Sequence, residues 1–574
     1  MTTPQSDPTP TDHVSGHGGT HAVTAAAAHG QDVMWTLSGA HVFPVYDAAV
    51  GGKETVDRSE GDTQRAQREG PMRLIDVRHE ATAAFAAEAT GKLTRSPGFA
   101  VVTAGPGVTN TVSAITGAWF NGSPMVVLGG RSPAGRWGQG ALQELDHPPL
   151  VASVTKAAFT VTDPQQTGPE LDRAFQIAGS AHRGPVFVDI PMDVLFSHGQ
   201  APHPGGTAAA PVEVDSDAVA RIAARLAAAD RPVVILGGDV WMDGADGTAR
   251  AVVEQLGLPV IANGMGRGIL PKGHPLLVTR ARSAAFATAD LVVVIGAPLD
   301  FRLGYGVFGG KDGSQPAAVV HIADSPDQLA RHAQLADSAA GPLDAILRGI
   351  ADAYGSTPDH DHSAWAQNLL AAHRAAVAAD AADLTSDADP IHPARIYGDL
   401  VPRLADDAVV IGDGGDFVSF AGKYIEPAAP GNWLDPGPYG CLGTGLGYAM
   451  AARVARPDSQ VVLLMGDGAA GFSLLDVDTL VRHGLPVVMV VGNNKSWGLE
   501  KHPMKFLYGY DVIADLHPTR YDEVVTALGG AGETVTRPGD IGPALDRAFA
   551  AGVPYLVNVM TDTDIAYPRS TTGI

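Results

Sequence analysis

"MGDGAAGFSLLDVDTLVRHGLPVVMVVGNNKSWGLE", running from Met465 to Glu500, carries the pattern from which the architecture can be read. The apolar run "VVLLM" that leads into it has the length and residue types of a buried strand. "GDGAAG" is a turn that only small residues can make, "FSLLDVDTLVRHG" reads as a helix ending in Gly, and "PVVMVVG" reads as the next parallel strand. In an open parallel sheet, ligands collect at the carboxyl ends of strands and near helix N-termini, which favour phosphate. On that geometry Asp467 and Asn494 sit side by side. A carboxylate and an amide oxygen, completed by a backbone carbonyl and by phosphate oxygens, suit Mg2+ in octahedral coordination. A lone GDG is an ordinary turn, but GDG, a helix and NN in one βαβ unit form a far more specific combination.

Outward from this unit, the 574 residues exceed what one hydrophobic core serves, so several domains are expected. A net charge of −23 argues against general nucleic-acid or anionic-membrane binding, because phosphate backbones and anionic lipids need basic surface. The single cysteine, Cys441, permits no intrachain disulfide and fits a reducing compartment. Nothing resembles a signal peptide or an apolar span of about 20 residues, so the expected location is the cytoplasm. Composition divides the chain further. Residues 1–30, poor in large apolar groups, read as a mobile tail. Residues 31–205, 206–355 and 389–564 each read as an α/β domain with a parallel sheet, giving three consecutive α/β domains as the fold class. Residues 356–388 form a polar, helix-like link, 565–574 a small polar C-terminal tail, and the polar stretch 51–71 a surface loop. The first domain carries "IDVRHEATAAFAAEATGKLT", "TAGPGVTN" and "GSPMVVLGG", the third also "YGCLGTGLGYAM".

With these motifs the sequence resembles the thiamine-diphosphate (ThDP) enzymes, in the branch that holds acetolactate synthase, oxalyl-CoA decarboxylase and 2-hydroxyacyl-CoA lyase, and it is most similar to a 2-hydroxyacyl-CoA lyase of actinobacterial type. The likeness covers nearly the whole chain after residue 30. It implies a pyrimidine-binding domain, a middle domain and a diphosphate-binding domain, in that order. It implies that Asp467 and Asn494 hold Mg2+ by their side chains and Ser496 by its carbonyl, with Gly466, Gly468 and Ala469 around the diphosphate. Leu442 takes the place of the bulky residue that props the thiazolium into a bent conformation, and Gly440 offers its carbonyl to the aminopyrimidine. Glu80 is the carboxyl group that bonds the pyrimidine nitrogen and promotes loss of the thiazolium C2 proton. Gln143, in "ALQELDHPPL", is a further polar candidate. In the resembling families Glu80 and Asp467 come from different subunits, so a homodimer at least, and commonly a homotetramer, is implied.

The resemblance leaves the branch to be chosen. Acetolactate synthases bind FAD in the middle domain, whereas the CoA-using relatives carry the CoA nucleotide there and sometimes ADP. No feature of this sequence requires a flavin, and FAD is not expected. Arg267 and Lys272 in "NGMGRGILPKGHP" and Arg302 in "GAPLDFRLGYG" offer cations for an acyl-CoA substrate. Tyr567, Arg569 and Ser570 are candidates to approach the thioester, in a C-terminal segment read as a lid. Glu500, two residues past the place where the relatives carry a tyrosine, is a candidate base for the 2-hydroxyl group. The expected activity is cleavage of the C1–C2 bond of a 2-hydroxyacyl-CoA to formyl-CoA and a ketone or aldehyde. Oxalyl-CoA decarboxylation, acetolactate-type condensation of 2-oxo acids, and a catalytically dead regulatory subunit are the alternatives.

Overall fold

The computed structural model describes residues 13–52, 60–205, 213–310, 315–355 and 361–567. The chain forms two compact units, Met1–Ala209 and Ala210–Ile574.

The first unit opens with strand β1 (His13–His17) and helix α1 (Gly18–Ala28). Its main sheet contains β2 (Val33–Thr36), β3 (Arg73–Asp76), β4 (Gly98–Val102), β5 (Met125–Arg131), β6 (Ala157–Thr160) and β7 (Pro185–Pro191). The order is β3-β2-β4-β5-β7-β6, with every pair parallel. β5 is buried along almost its whole length and β7 along all of it, as central parallel strands covered by helices must be. The first unit ends in β8 (His198–Pro202), which returns antiparallel to β1. The expectation of a mobile tail is therefore corrected over residues 13–30, while residues 1–12 lie outside the described residues. α1 buries Ala22, Val23, Ala25 and Ala26 in the core of this unit, and small residues were enough for that close helix packing. The stretch 51–71 is likewise not all loop: helix α2 (Glu60–Glu69) forms within it.

The second unit holds two parallel sheets. The middle one contains β9 (Pro232–Leu236), β10 (Val260–Ala262), β11 (Leu291–Ile295), β12 (Ala318–Ala323) and β13 (Asp337–Ala340), in the order β10-β9-β11-β12-β13. The link segment forms helix α3 (Ser363–Ala379), whose Leu369 is buried in the core beneath this sheet and whose neighbour Trp365 donates its Nε1–H to the Pro232 carbonyl at 3.0 Å. The last sheet contains β14 (Val409–Asp413), β15 (Trp433–Leu434), β16 (Val461–Gly466), β17 (Val488–Asn493), β18 (Ala531–Val535) and β19 (Tyr555–Met560). Its order is β15-β14-β16-β17-β19-β18, again all parallel. Among the described residues no helix is long and apolar enough to cross a membrane.

Candidate active site

β14 and β16 are neighbours, but the chain leaves them in opposite directions, β14 towards the edge strand β15 and β16 towards β17. A crevice opens past the carboxyl ends at such a reversal of strand order. The pocket found there is walled on one side by Gly414, Gly415 and Asp416 after β14, on the other by Gly466 to Ala469 after β16, and is completed by Asn494, Ser496 and the segment Trp497–Glu500 after β17.

Asp467 begins helix α4 (Asp467–Ser473) and is buried. Its Oδ1 accepts the Gly468 N–H at 3.0 Å, while Oδ2 is buried without a hydrogen-bond partner. Burial pushes the carboxyl pKa up to about 6, against the backbone N–H groups of Gly468, Lys495 and Ser496. A buried carboxylate oxygen left without a donor is costly unless a cation meets it. Asn494 Oδ1 accepts the Ser496 N–H at 3.1 Å, closing a turn through Lys495, whose φ is +59°. Two bonds fix the backbone behind the side chains: Tyr521 Oη donates to the Asp467 carbonyl at 2.9 Å, and Thr563 Oγ1 to the Asn494 carbonyl at 2.7 Å. Gly468 has to be glycine, because a Cβ there would lie 2.3 Å from the Trp497 ring that covers the turn.

Leu442 lines the same pocket, two residues before helix α5 (Thr444–Ala455). Gly440 does not; it lies in an exposed turn with φ +74°. Glu500 lies exposed on the pocket's rim in the first turn of helix α6 (Gly498–Tyr508). Nearby on the same helix, Lys501 pairs with Asp511 at 3.3 Å and with Asp515, and Lys505 lies 3.7 Å from Asp511 and from Asp564.

In the first unit Glu80 is the first residue of the helix Glu80–Thr94 and only 8% exposed; its Oε2 accepts the Asn110 amide N–H at 3.0 Å. Gln143 is half-buried, at φ +59°, against the turn that begins at Gly105.

Three family models match the chain in sequence: the N-terminal binding domain of the thiamine pyrophosphate enzymes over residues 17–150, their central domain over 219–350 and their C-terminal binding domain over 413–559. The chain belongs to the ThDP (thiamine pyrophosphate) enzyme family. It is 48% identical over 558 residues to acetolactate synthase large subunit IlvG of Mycobacterium tuberculosis, covering 96% of this chain and 97% of that one. It is 31% identical over 562 residues to 2-hydroxyacyl-CoA lyase 2 of Caenorhabditis elegans, covering 90% and 84%, and 31% identical over 564 residues to the human protein of that name, covering 91% and 85%. The residues present fit ThDP with its metal: Asp467, with its unpartnered carboxylate oxygen, Asn494 and Ser496 line one glycine-walled pocket at strand ends.

The cations expected to meet CoA are engaged within the protein. Arg267 lies over the Trp433 ring at 4.8 Å and donates to the carbonyls of Gly422 and Ile425, at the end of the helix Asp416–Tyr424. Those carbonyls have no partner inside their own helix, and a guanidinium is well suited to them. Lys272 pairs with Asp406, and Arg302 forks onto Asp300 with its Nη2 at 2.7 Å from Oδ2. Tyr567 packs edge-on against Phe420 at 5.2 Å; Arg569 and Ser570 lie outside the described residues.

Sequence reasoning missed Asp413, although a signal was there, since "GDG" occurs at 412–414 as well as at 466–468. Asp413 is fully buried and accepts the N–H groups of Gly443 and Gly445 at 3.1 and 2.8 Å, so it caps α5 just behind Leu442. Tyr521, Thr563 and Trp497 were missed for want of any local signal, because their partners are distant in sequence.

Proposed function

We propose that this ThDP enzyme condenses 2-oxo acids in the manner of an acetolactate synthase, with Glu500 as the group that handles the proton on the acceptor's carbonyl oxygen. The observation that carries the reading is Glu500 on the rim of the pocket that Asp467, Asn494 and Leu442 line. Bound ThDP supplies an electron sink when the bond to the carboxyl carbon breaks. The chain's own residues do the rest. Asp467, Asn494 and the Ser496 carbonyl hold Mg2+ and through it the diphosphate. Leu442 supports the rings, and Glu80 holds a proton at the pyrimidine nitrogen. As the new carbon–carbon bond forms, the acceptor's carbonyl oxygen gains negative charge and takes a proton from Glu500, leaving a hydroxyl group.

Two observations favour 2-oxo acids over the CoA thioesters expected from sequence. The guanidinium groups of Arg267 and Arg302 and the ammonium group of Lys272 are engaged by acceptors of the protein, which weakens their role as CoA contacts. The similarity to the mycobacterial acetolactate synthase is also higher and covers more of both chains. Cleavage of a 2-hydroxyacyl-CoA to formyl-CoA is the second reading, favoured by the same Glu500, since the 2-hydroxyl must lose a proton as the C1–C2 bond breaks. In either case a homodimer or larger assembly, in which Glu80 and Asp467 of different copies meet on one cofactor, is part of the proposal.

The test is incubation with ThDP and Mg2+ and three substrates apart: pyruvate alone, oxalyl-CoA, and a series of 2-hydroxyacyl-CoA thioesters. Acetolactate from pyruvate with no formyl-CoA from the thioesters is expected. Formyl-CoA with no acetolactate would transfer the assignment to the second reading or to a decarboxylase. Absence of C2-proton exchange on bound ThDP would leave a catalytically dead subunit.

A further inference from the structure

The sequence around Gln143 continues into "DHPPL", and its His147 has no part in the reaction described above. His147 is fully buried in the first unit, and both its ring nitrogens are bonded. Nε2 lies 3.0 Å from the Gly105 backbone nitrogen, which can only donate, so Nε2 is the unprotonated acceptor. The proton is then on Nδ1, which faces Asp189 Oδ2 at 2.9 Å. Asp189 is fully buried too, in β7, and is held by Arg131 Nη1 of β5 at 2.8 Å and by Thr160 Oγ1 of β6 at 2.6 Å. The ring is therefore fixed in tautomer and orientation by three strands of the sheet.

At the other end of the ring stands an unusual turn. Gly105 has φ +58° and ψ −112°, which an L side chain rarely adopts, and a Cβ there would meet Gln143 Cβ at 2.8 Å. Such a conformation persists only where its surroundings hold it. From this kink the chain runs through the helical turn Pro106–Thr109 to Asn110, whose amide N–H donates to Glu80 Oε2. Gln143, on the kink, and Glu80, at the end of the turn, are the two first-unit side chains expected at the cofactor.

We propose that His147, fixed by Asp189 and Arg131, is a positioning residue: by holding the Gly105 N–H it sets the 105–110 turn, and through Asn110 it aims the Glu80 carboxyl at the pyrimidine nitrogen. Asn110 is the second positioning residue of this relay. The inference rests on Glu80 acting on ThDP. Diphosphate and metal contacts lie on other residues, so the relay governs proton loss from C2 and leaves cofactor affinity alone.

The experiment compares His147→Phe, His147→Gln and Asn110→Ala by thermal melting, Mg–ThDP affinity and the rate of C2-proton exchange on bound ThDP. Misplacement of a reacting group by about 1 Å costs about 100-fold in rate, so His147→Phe and Asn110→Ala should exchange about 10- to 100-fold more slowly, with affinity within a few-fold of the parent. His147→Gln should recover most of the rate, since its amide oxygen reaches the position of Nε2 and accepts the Gly105 N–H. Asn110 is exposed, so its truncation keeps the test open should His147→Phe fail to fold. Parental exchange in Asn110→Ala, or a folded His147→Gln that recovers nothing, would overturn the relay. Undiminished exchange in Glu80→Gln would instead overturn the functional reading itself.

Discussion

The same tripeptide, GDG, ends two adjacent strands, and its two aspartates do different work because of where the sheet stops. Asp413 pairs with Met465 inside the β14–β16 ladder and turns its carboxylate to a helix end, whereas Asp467 lies beyond the ladder and faces the pocket. Replacing Asp467 with Ala removes the charged metal ligand, and the expected outcome is loss of Mg-dependent ThDP binding, read by cofactor titration. The raised pKa of Asp467 also sets a pH dependence. Metal needs the ionised carboxylate, so Mg–ThDP affinity should be level above about pH 6 and fall by up to about tenfold per unit below it. A titration series at several pH values checks this. For Glu500→Gln, general acid–base catalysis is worth about 10²–10⁴-fold, so turnover should drop by that factor, about 3–5 kcal/mol of transition-state stabilisation, with ThDP still bound. A rate within a few-fold of the parent would return Glu500 to the surface.

The site elements owe their placement to strand ends, and two buried carboxyl groups lie there. Burial pushes Asp413 up to about 7 and Asp467 up to about 6, both above their values in an unfolded chain. Between pH 4 and 7 the cofactor-free native state then binds more protons than the unfolded state, so these groups stabilise the fold most at low pH and lose that contribution as pH rises through their folded values. Thermal melts of the cofactor-free protein should show a downward contribution to stability from pH 4 to 7. Mg–ThDP should cancel Asp467's share, and melts repeated with cofactor test it. The βαβ unit around Asp467 was legible in sequence because apolar strand runs, small-residue turns and their spacing are local signals. Glu80 was legible only through its neighbours, as a carboxylate opening a helix is ordinary. The surroundings of the cations were not legible, because a sequence displays an arginine but hides the carbonyls it meets: Arg267's partners, Gly422 and Ile425, lie more than 150 residues away.

At the scale of the molecule, the proposed assembly into at least a dimer should show as a doubled mass in light scattering at micromolar concentration. The first unit also depends on a segment that composition hides. Pro, Thr, His and Gly dominate residues 1–30, yet β1 pairs with β8 from His13↔Pro202 to His17↔His198, and α1 seals the core with Ala22, Val23, Ala25 and Ala26. Alanine contributes little area, but each methyl group taken from water is worth about 0.8 kcal/mol and a buried valine about 1.5 kcal/mol or more, so losing these four exposes about 4 kcal/mol of burial before any cavity cost. That is a large fraction of the roughly 5–15 kcal/mol that keeps a domain folded. Deletion of residues 1–30 should therefore lower the melting temperature of the first unit markedly, and C2-proton exchange should fail with it, because Glu80 and Asn110 stand on that unit's sheet. Asp467 lies in the second unit, so metal-dependent diphosphate binding should outlast the lost exchange. A truncated protein that melts and exchanges like the parent would show that β1 and α1 add nothing to the core they complete.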